Sequence, residues 1–302
     1  MTAKDIVEIY IPVTIGVIML TMGLGLRLAD FKRIVSQPRA MLFGVFGQLI
    51  MLPAVGFGLA IAFSLPPEMA VGLVLLTACP GGPSSNLYSS LAYGDTALSV
   101  SLTAISGVVT IFTIPLIVNL ALDVFMGSAR SVQMPVVETM LKIVLIVGVP
   151  LALGMLIRGQ RPGLADRIER PLKRVAVVML AVLVVGAIAK EGKLVGEYFM
   201  ILGLPILLLS LGTMAFGYFG SRVGRLPARQ AITITIEIGM QNGALAIGLA
   251  TQTLGNDAMA MPGAIYGIIA YFTCAVPLFI GRRILTPVVI GSDAEAVASA
   301  GA

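Results

Sequence analysis

Apolar residues come in long stretches along this chain, separated by short segments that hold nearly all of its charge. A helix that spans a bilayer needs about 20 mostly apolar residues. Nine spans are placed on that basis, near residues 6–26, 40–64, 68–93, 96–122, 136–157, 174–189, 198–221, 230–254 and 258–281, the sixth being short and expected to extend into the basic segment before it. Runs such as Ile201-Leu202-Gly203-Leu204-Pro205-Ile206-Leu207-Leu208-Leu209 are apolar all round, unlike the alternating strands of a membrane barrel. The pattern predicts an all-α polytopic membrane protein of nine transmembrane helices, with a single transmembrane domain covering 1–302. The small, acidic stretch 291–302 is expected to be a disordered tail.

Charge changes the picture by giving these spans a direction. Fifteen of the 20 basic residues fall in connections on one side: Arg27 to Arg39 after the first span, Arg158 to Arg174 after the fifth, Arg222 to Arg229 after the seventh, and Arg282-Arg283 after the ninth. The other side holds Lys4, Arg130, Lys142, Lys190 and Lys193. The positive-inside rule then places the N-terminus outside and the C-terminus in the cytoplasm of a plasma (bacterial inner) membrane. The first residues show no basic n-region and no small-residue cleavage site, so no removable signal peptide is expected.

Composition excludes several classes. The chain is 58% hydrophobic and 12% charged, against roughly 45–50% and 25% for soluble domains. Basic residues this dilute form no basic face, so no nucleic-acid partner is expected, and no obligatory protein partner is evident. There is no histidine, which rules out a Ser-His-Asp triad, a Cys-His pair and a histidine metal site. The two cysteines, Cys79 and Cys274, lie inside apolar runs and form no disulfide framework. The chain is not expected to be an enzyme, since one buried acid without a partner base offers no acid–base pair.

Polar residues inside the spans point to function. Glu237 sits mid-span in Ile234-Thr235-Ile236-Glu237-Ile238-Gly239-Met240-Gln241-Asn242-Gly243. A carboxylate there is costly unless it faces protein, water or a cation. A structural carboxylate bonded to neighbouring hydroxyls is the bland alternative. The flanking glycines weaken the helix and free backbone carbonyls, tolerated at membrane depth only where they line a cavity or bind an ion. The third span carries a second break, Cys79-Pro80-Gly81-Gly82-Pro83-Ser84-Ser85-Asn86. Two prolines around two glycines cannot continue a helix. The half-helix that restarts there presents free N–H groups, which suit an anion. Broken helices near 68–93 and 230–254, entering from opposite sides, are the signature of an inverted-repeat secondary transporter. Hydroxyls, amides and one carboxylate suit a small hard cation. Gln48 is a further mid-span polar residue. Ser99 and Thr103, at i and i+4, share a face of the fourth span.

These motifs resemble the bile acid:sodium symporter family. The likeness rests on the Cys79 to Asn86 break, on Gly94-Asp95-Thr96-Ala97-Leu98-Ser99, and on Glu237 to Asn242. It extends through Met22-Gly23-Leu24 with Asp30-Phe31, through Gln48, and through Met261-Pro262-Gly263-Ala264. The resemblance implies core and panel domains, two crossing broken helices, and two Na+ sites. One sodium ion would be held by Ser85, Asn86, Ser99, Thr103 and Glu237. The other would be held by Gln48, Glu237, Ile238, Met240 and Gln241, with Ile238 and Met240 offering backbone carbonyls. Pro83, Ser84, Asn242 and Gly243 would border the substrate. The chain has nine spans where bacterial relatives often have ten, Pro83 where many have threonine, and Ala270-Tyr271 where some have a His-Asn pair. The function implied is sodium-coupled uptake of an organic anion by alternating access. The alternatives are arsenite-type efflux through a reactive Cys79, or a membrane sensor that carries nothing.

Overall fold

A computed structural model describes residues 3–27, 36–127 and 135–285. The tail 291–302 and the Asp30-Phe31 pair lie outside the described residues. In chain order the helices are α1 (Ala3–Gly25), α2 (Pro38–Ala62), α3 (Pro67–Ala78), α4 (Pro83–Leu91), α5 (Thr96–Met126), α6 (Val136–Gln160), α7 (Pro162–Val223), α8 (Ala228–Gly239), α9 (Gly243–Gln252) and α10 (Ala258–Leu285). Of these, α2, α5, α6, α10 and the Gly196–Val223 part of α7 are long and apolar enough to cross a membrane.

Proline chemistry shapes several elements. It stands in the first turn of α2, α3 and α4, where a missing N–H costs nothing. Inside α2 and α6 it acts differently. Each helix widens to a π-turn, at Gly47–Met51 and Val144–Gly148, just before Pro53 and Pro150. A proline leaves the carbonyl one turn earlier without its N–H, and a wider turn accommodates the lost bond. The first of these turns carries Gln48.

The expected breaks in the third and eighth spans are present, at Cys79–Gly82 between α3 and α4 and at Met240–Asn242 between α8 and α9. One expectation needs correction. The predicted sixth and seventh spans are not separated by a non-helical connection, because α7 is helical from Pro162 to Val223. The stretch Ala187-Ile188-Ala189-Lys190-Glu191-Gly192-Lys193-Leu194 has no proline and one glycine, and is otherwise made mostly of strong helix formers. Yet α7 is not straight. Glu169 lies beside Gly25, and Gly220 lies against Phe43. A straight helix would set residues 169 and 220 about 77 Å apart. The 18 residues from Gly25 to Phe43 reach at most about 50 Å with the start of α2 helical. The element is therefore bent.

Packing falls into two groups. In the first, α1 lies against α6 and the start of α7. A Cβ on Gly23 would come within 2.1 Å of the Leu151 carbonyl, so only glycine allows this approach. Tyr10 donates from its hydroxyl to the Met179 carbonyl at 2.8 Å. Arg158, buried at the end of α6, donates to the Leu24 carbonyl, to Asp166 at 2.5 Å and to Glu169 at 2.6 Å, and Lys173 adds a 2.6 Å bond to Glu169. The hydrogen bond from Arg158 holds the Asp166 carboxyl below its ordinary value. The second group is α2 to α5, the end of α7, and α8 to α10, with Phe43 stacked on Phe216. Large apolar side chains such as Leu42, Phe112, Leu116, Leu145 and Phe272 are exposed along the outward helix faces. Soluble proteins seldom leave so much apolar surface uncovered, whereas lipid covers it.

Candidate functional site

The two breaks meet in the middle of the second group. Their backbones run antiparallel, with Gly81 bridged to Gln241. Gly82 donates its N–H to the Met240 carbonyl at 3.0 Å, and Asn242 donates to the Pro80 carbonyl at 2.9 Å. Each break thus satisfies backbone groups that the other leaves free, as burial at membrane depth demands.

Glu237 is fully buried beside this crossing, on the last turn of α8. Its Oε1 accepts from Ser85 Oγ at 2.6 Å and from Ser99 Oγ. Its Oε2 accepts from Thr103 Oγ1 at 2.8 Å and from Gln48 Nε2 at 3.5 Å. Four elements therefore converge on one carboxylate: α2 through its π-turn, α4 through its first turn, α5 through the Ser99/Thr103 face, and α8. Gln48 Nε2 also donates to the Glu237 carbonyl at 3.1 Å. Asn86 joins through Ser99, whose Oγ lies 2.7 Å from Asn86 Oδ1.

Proton counting shows what this cluster lacks. Ser85 Oγ faces both Glu237 and the Gly82 carbonyl at 2.8 Å. Ser99 Oγ faces both Glu237 and Asn86 Oδ1. Thr103 Oγ1 faces both Glu237 and the Ser99 carbonyl at 2.9 Å. A hydroxyl has one proton, so three protons serve five oxygen acceptors in six contacts. Two more amide oxygens, Gln48 Oε1 and Gln241 Oε1, are buried without a hydrogen-bond partner. The cluster is rich in oxygen lone pairs and poor in positive charge. Among the described residues, no group of three His, Cys, Asp or Glu side chains gathers anywhere that could hold a metal ion. The donor set is thus neutral oxygen around a single carboxylate, which suits a small hard monovalent cation.

The second predicted ligand set is also gathered here. Gln241 Nε2 donates to the Ile238 carbonyl at 2.8 Å, and the Met240 carbonyl takes the Gly82 N–H. Gly81 makes room for the assembly, since a Cβ there would lie 2.9 Å from Gln48 Nε2 and 3.0 Å from Glu237 Oε2.

The predicted substrate-side residues flank the same crossing. Asn242 caps α9, its Oδ1 accepting from the Leu245 N–H at 3.1 Å, while its Nδ2 is buried without a partner. Gly243 opens α9 and lies against Gly263, where a Cβ would come 2.8 Å from the Gly263 carbonyl. Pro83 opens α4. Ser84 Oγ pairs with the Tyr271 hydroxyl at 2.9 Å, and the Tyr88 hydroxyl donates to the Tyr271 carbonyl at 3.2 Å. Cys79 is buried at the end of α3.

Sequence reasoning missed three supports. Tyr266 bonds the α8 break directly. Its signal was a hydroxyl in an apolar run, because a buried tyrosine usually finds a partner. Arg229 donates to the Tyr93 and Gly94 carbonyls, and Thr233 donates to the Asp95 carbonyl, tying the start of α8 to the end of α4. Arg282 donates to the Leu91 carbonyl at 2.9 Å, on that same helix end. These arginines had counted only as topology markers.

Residues 12–198 match the sequence profile of the sodium bile acid symporter family. The uncharacterized sodium-dependent transporter YocS of Bacillus subtilis is 31% identical over 261 residues, covering 86% of this chain and 78% of that protein. The probable chloroplastic sodium/metabolite cotransporter BASS1 of Arabidopsis thaliana is 30% identical, covering 90% of this chain and 66% of its own length. The corresponding BASS2 of rice is 30% identical, covering 84% and 59%. The chain thus spans less than two thirds of these two plant relatives. All three relatives are named as transporters rather than enzymes, and the apolar helices make this a multi-pass membrane protein. The chain belongs to the sodium bile acid symporter family, a family of sodium-dependent transporters.

Proposed function

We propose that this chain is a sodium-coupled symporter that takes up an organic anion by alternating access. The observation that carries it is the excess of oxygen acceptors around Glu237. A cation supplies the missing positive charge without any proton. Ser85, Asn86, Ser99, Thr103 and Glu237 would hold one sodium ion. Gln48, Glu237, Ile238, Met240 and Gln241 would hold a second, which the unpartnered oxygens of Gln48 and Gln241 favour. Hydroxyls that donate to the carboxylate keep lone pairs, so rotating them toward a cation needs little backbone motion.

The anion belongs at the half-helix starts. The N-terminal turns of α4 and α9 carry partial positive charge. Pro83, Ser84, Asn242 and Gly243 would line that place, and the unpartnered Asn242 Nδ2 is a donor for a carboxylate. Beside α9 a cavity of ≈ 150 Å³ between α1 and α6 is walled by Ile15, Ile146, Leu245 and Leu249, with Lys142 among its lining. Those walls suit a solute with an apolar body. The second packing group would act as the core domain and α1, α6 and the start of α7 as the panel, the two breaks lying in inverted repeats within one transmembrane domain. Cation binding would fix the Met240–Asn242 backbone and so Asn242 itself, coupling ion to solute.

Uptake of radiolabelled organic anions into proteoliposomes tests this reading. Replacing external sodium by choline should abolish uptake, and so should Glu237→Gln. Uptake unchanged in either case would sink the proposal.

A further inference from the structure

The α8 break frees two backbone groups that neither broken helix satisfies. The Gly239 carbonyl is at the end of α8, where the chain leaves the helix at Met240. The Gln241 N–H follows the turn. Both meet one side chain from a third element. Tyr266 of α10, 1% exposed, donates its hydroxyl to the Gly239 carbonyl at 2.6 Å and accepts the Gln241 N–H at 3.3 Å. The phenol therefore stands in for a turn of helix, holding the chain on either side of Met240. Ser210 of α7 is a polar neighbour of the hydroxyl, and its Oγ pairs with Thr273 Oγ1 at 2.7 Å. Around it three other backbone groups have partners: the Ile238 carbonyl has Gln241 Nε2, the Met240 carbonyl has the Gly82 N–H, and the Asn242 N–H has the Pro80 carbonyl.

We propose that Tyr266 is a positioning residue for the cation site: its hydroxyl sets the pitch of the α8 break so that the Met240 carbonyl and the Gln241 side chain face the ion. This inference rests on the sodium reading above. Without the hydroxyl the Gly239 carbonyl and Gln241 N–H would be left bare in a dry site, and the turn would relax to find other partners. The ligands carried between them would move with it. Glu237, on the intact part of α8, would stay with Ser85 and Thr103.

Tyr266→Phe removes the hydroxyl and keeps the ring. The measurement is thermal stability of purified protein in detergent, titrated with NaCl against choline chloride at constant ionic strength. A wild type without any sodium-specific stabilisation would refute the sodium reading itself. Given stabilisation in the wild type, Tyr266→Phe should raise the half-saturating sodium concentration about tenfold, the scale of one lost buried hydrogen-bonding partner. Discrimination of sodium against lithium should narrow in parallel, which a loss of packing alone would not produce. A variant with lowered melting temperature but wild-type half-saturation and selectivity would overturn the proposal. If Tyr266→Phe does not fold, Ser210→Ala carries the test, because it removes a polar neighbour of the hydroxyl while leaving its two bonds possible. It should raise half-saturation by roughly threefold, about half the free-energy effect, and an unchanged value would count against the proposal.

Discussion

Gly81 shows how much a single missing side chain can decide. A methyl group there would press on Gln48 Nε2 and Glu237 Oε2 together. Gly81→Ala should therefore raise the sodium concentration for half-maximal uptake by about tenfold, or 1.4 kcal/mol. Sodium titration of uptake checks this, and a variant with wild-type half-saturation would show that the contact is slack. At this scale much of the site was legible. Glu237 announced itself as a carboxylate where lipid forbids one. Ser99 and Thr103 could be placed on one face by spacing alone, though hydroxyls on helices usually back-bond. Thr103 does both, bonding the Ser99 carbonyl and Glu237. The convergence of Gln48 with Glu237 was not legible from spacing, because 189 residues separate them. Only the family resemblance joined them. Tyr266 escaped for a related reason: nothing in an apolar helix tells which neighbour its hydroxyl will meet.

Helices and their joints carry the next level. The prolines and glycines of the two breaks could be read directly, because backbone chemistry there is local. The course of α7 could not be, since charge alone does not stop a helix that has the residues to continue. The junction of α1, α6 and α7 was also hidden, as Arg158, Asp166 and Glu169 look like ordinary surface charges. This junction has a pH signature. Arg158 lowers the Asp166 carboxyl in the folded state, so the protein gains stability wherever Asp166 is ionised. That gain is complete above the ordinary value of 3.8 and disappears as the pH falls through the lower folded value. The stability difference between wild type and Arg158→Met should hence stay constant above about pH 5 and shrink below 3.8. Melting curves in detergent at stepped pH measure it. A difference independent of pH would mean that Asp166 contributes nothing to the junction.

For the whole molecule, the positive-inside rule predicts an orientation from where the basic residues lie. The chain offers a clean background for testing it, since Cys79 and Cys274 are both buried. Single cysteines at the exposed positions Glu138 and Arg225 report opposite sides. A membrane-impermeant maleimide on intact cells should label Glu138→Cys and leave Arg225→Cys unlabelled until the cells are broken. The reverse pattern would invert the topology. At this scale the all-helical, membrane-spanning character was legible because lipid imposes a single rule on every span, whereas the way the helices pack depends on close approaches such as Gly23 on Leu151 that no pattern displays.

The antiparallel crossing of the two breaks also bears on how the protein is made. Gly81 and Gln241 are 160 residues apart. At about 5–20 residues per second, the first broken helix leaves the ribosome roughly 8 to 30 seconds before its partner is synthesised. During that time the Pro80 carbonyl and the Gly82 N–H have no native partner and cannot rest in hydrocarbon without one. The α3–α4 segment must accordingly wait in the insertion machinery, at the membrane surface, or paired with water. The crossing, where the ion site is proposed, then closes late in synthesis, and a chain interrupted before α8 lacks half of it.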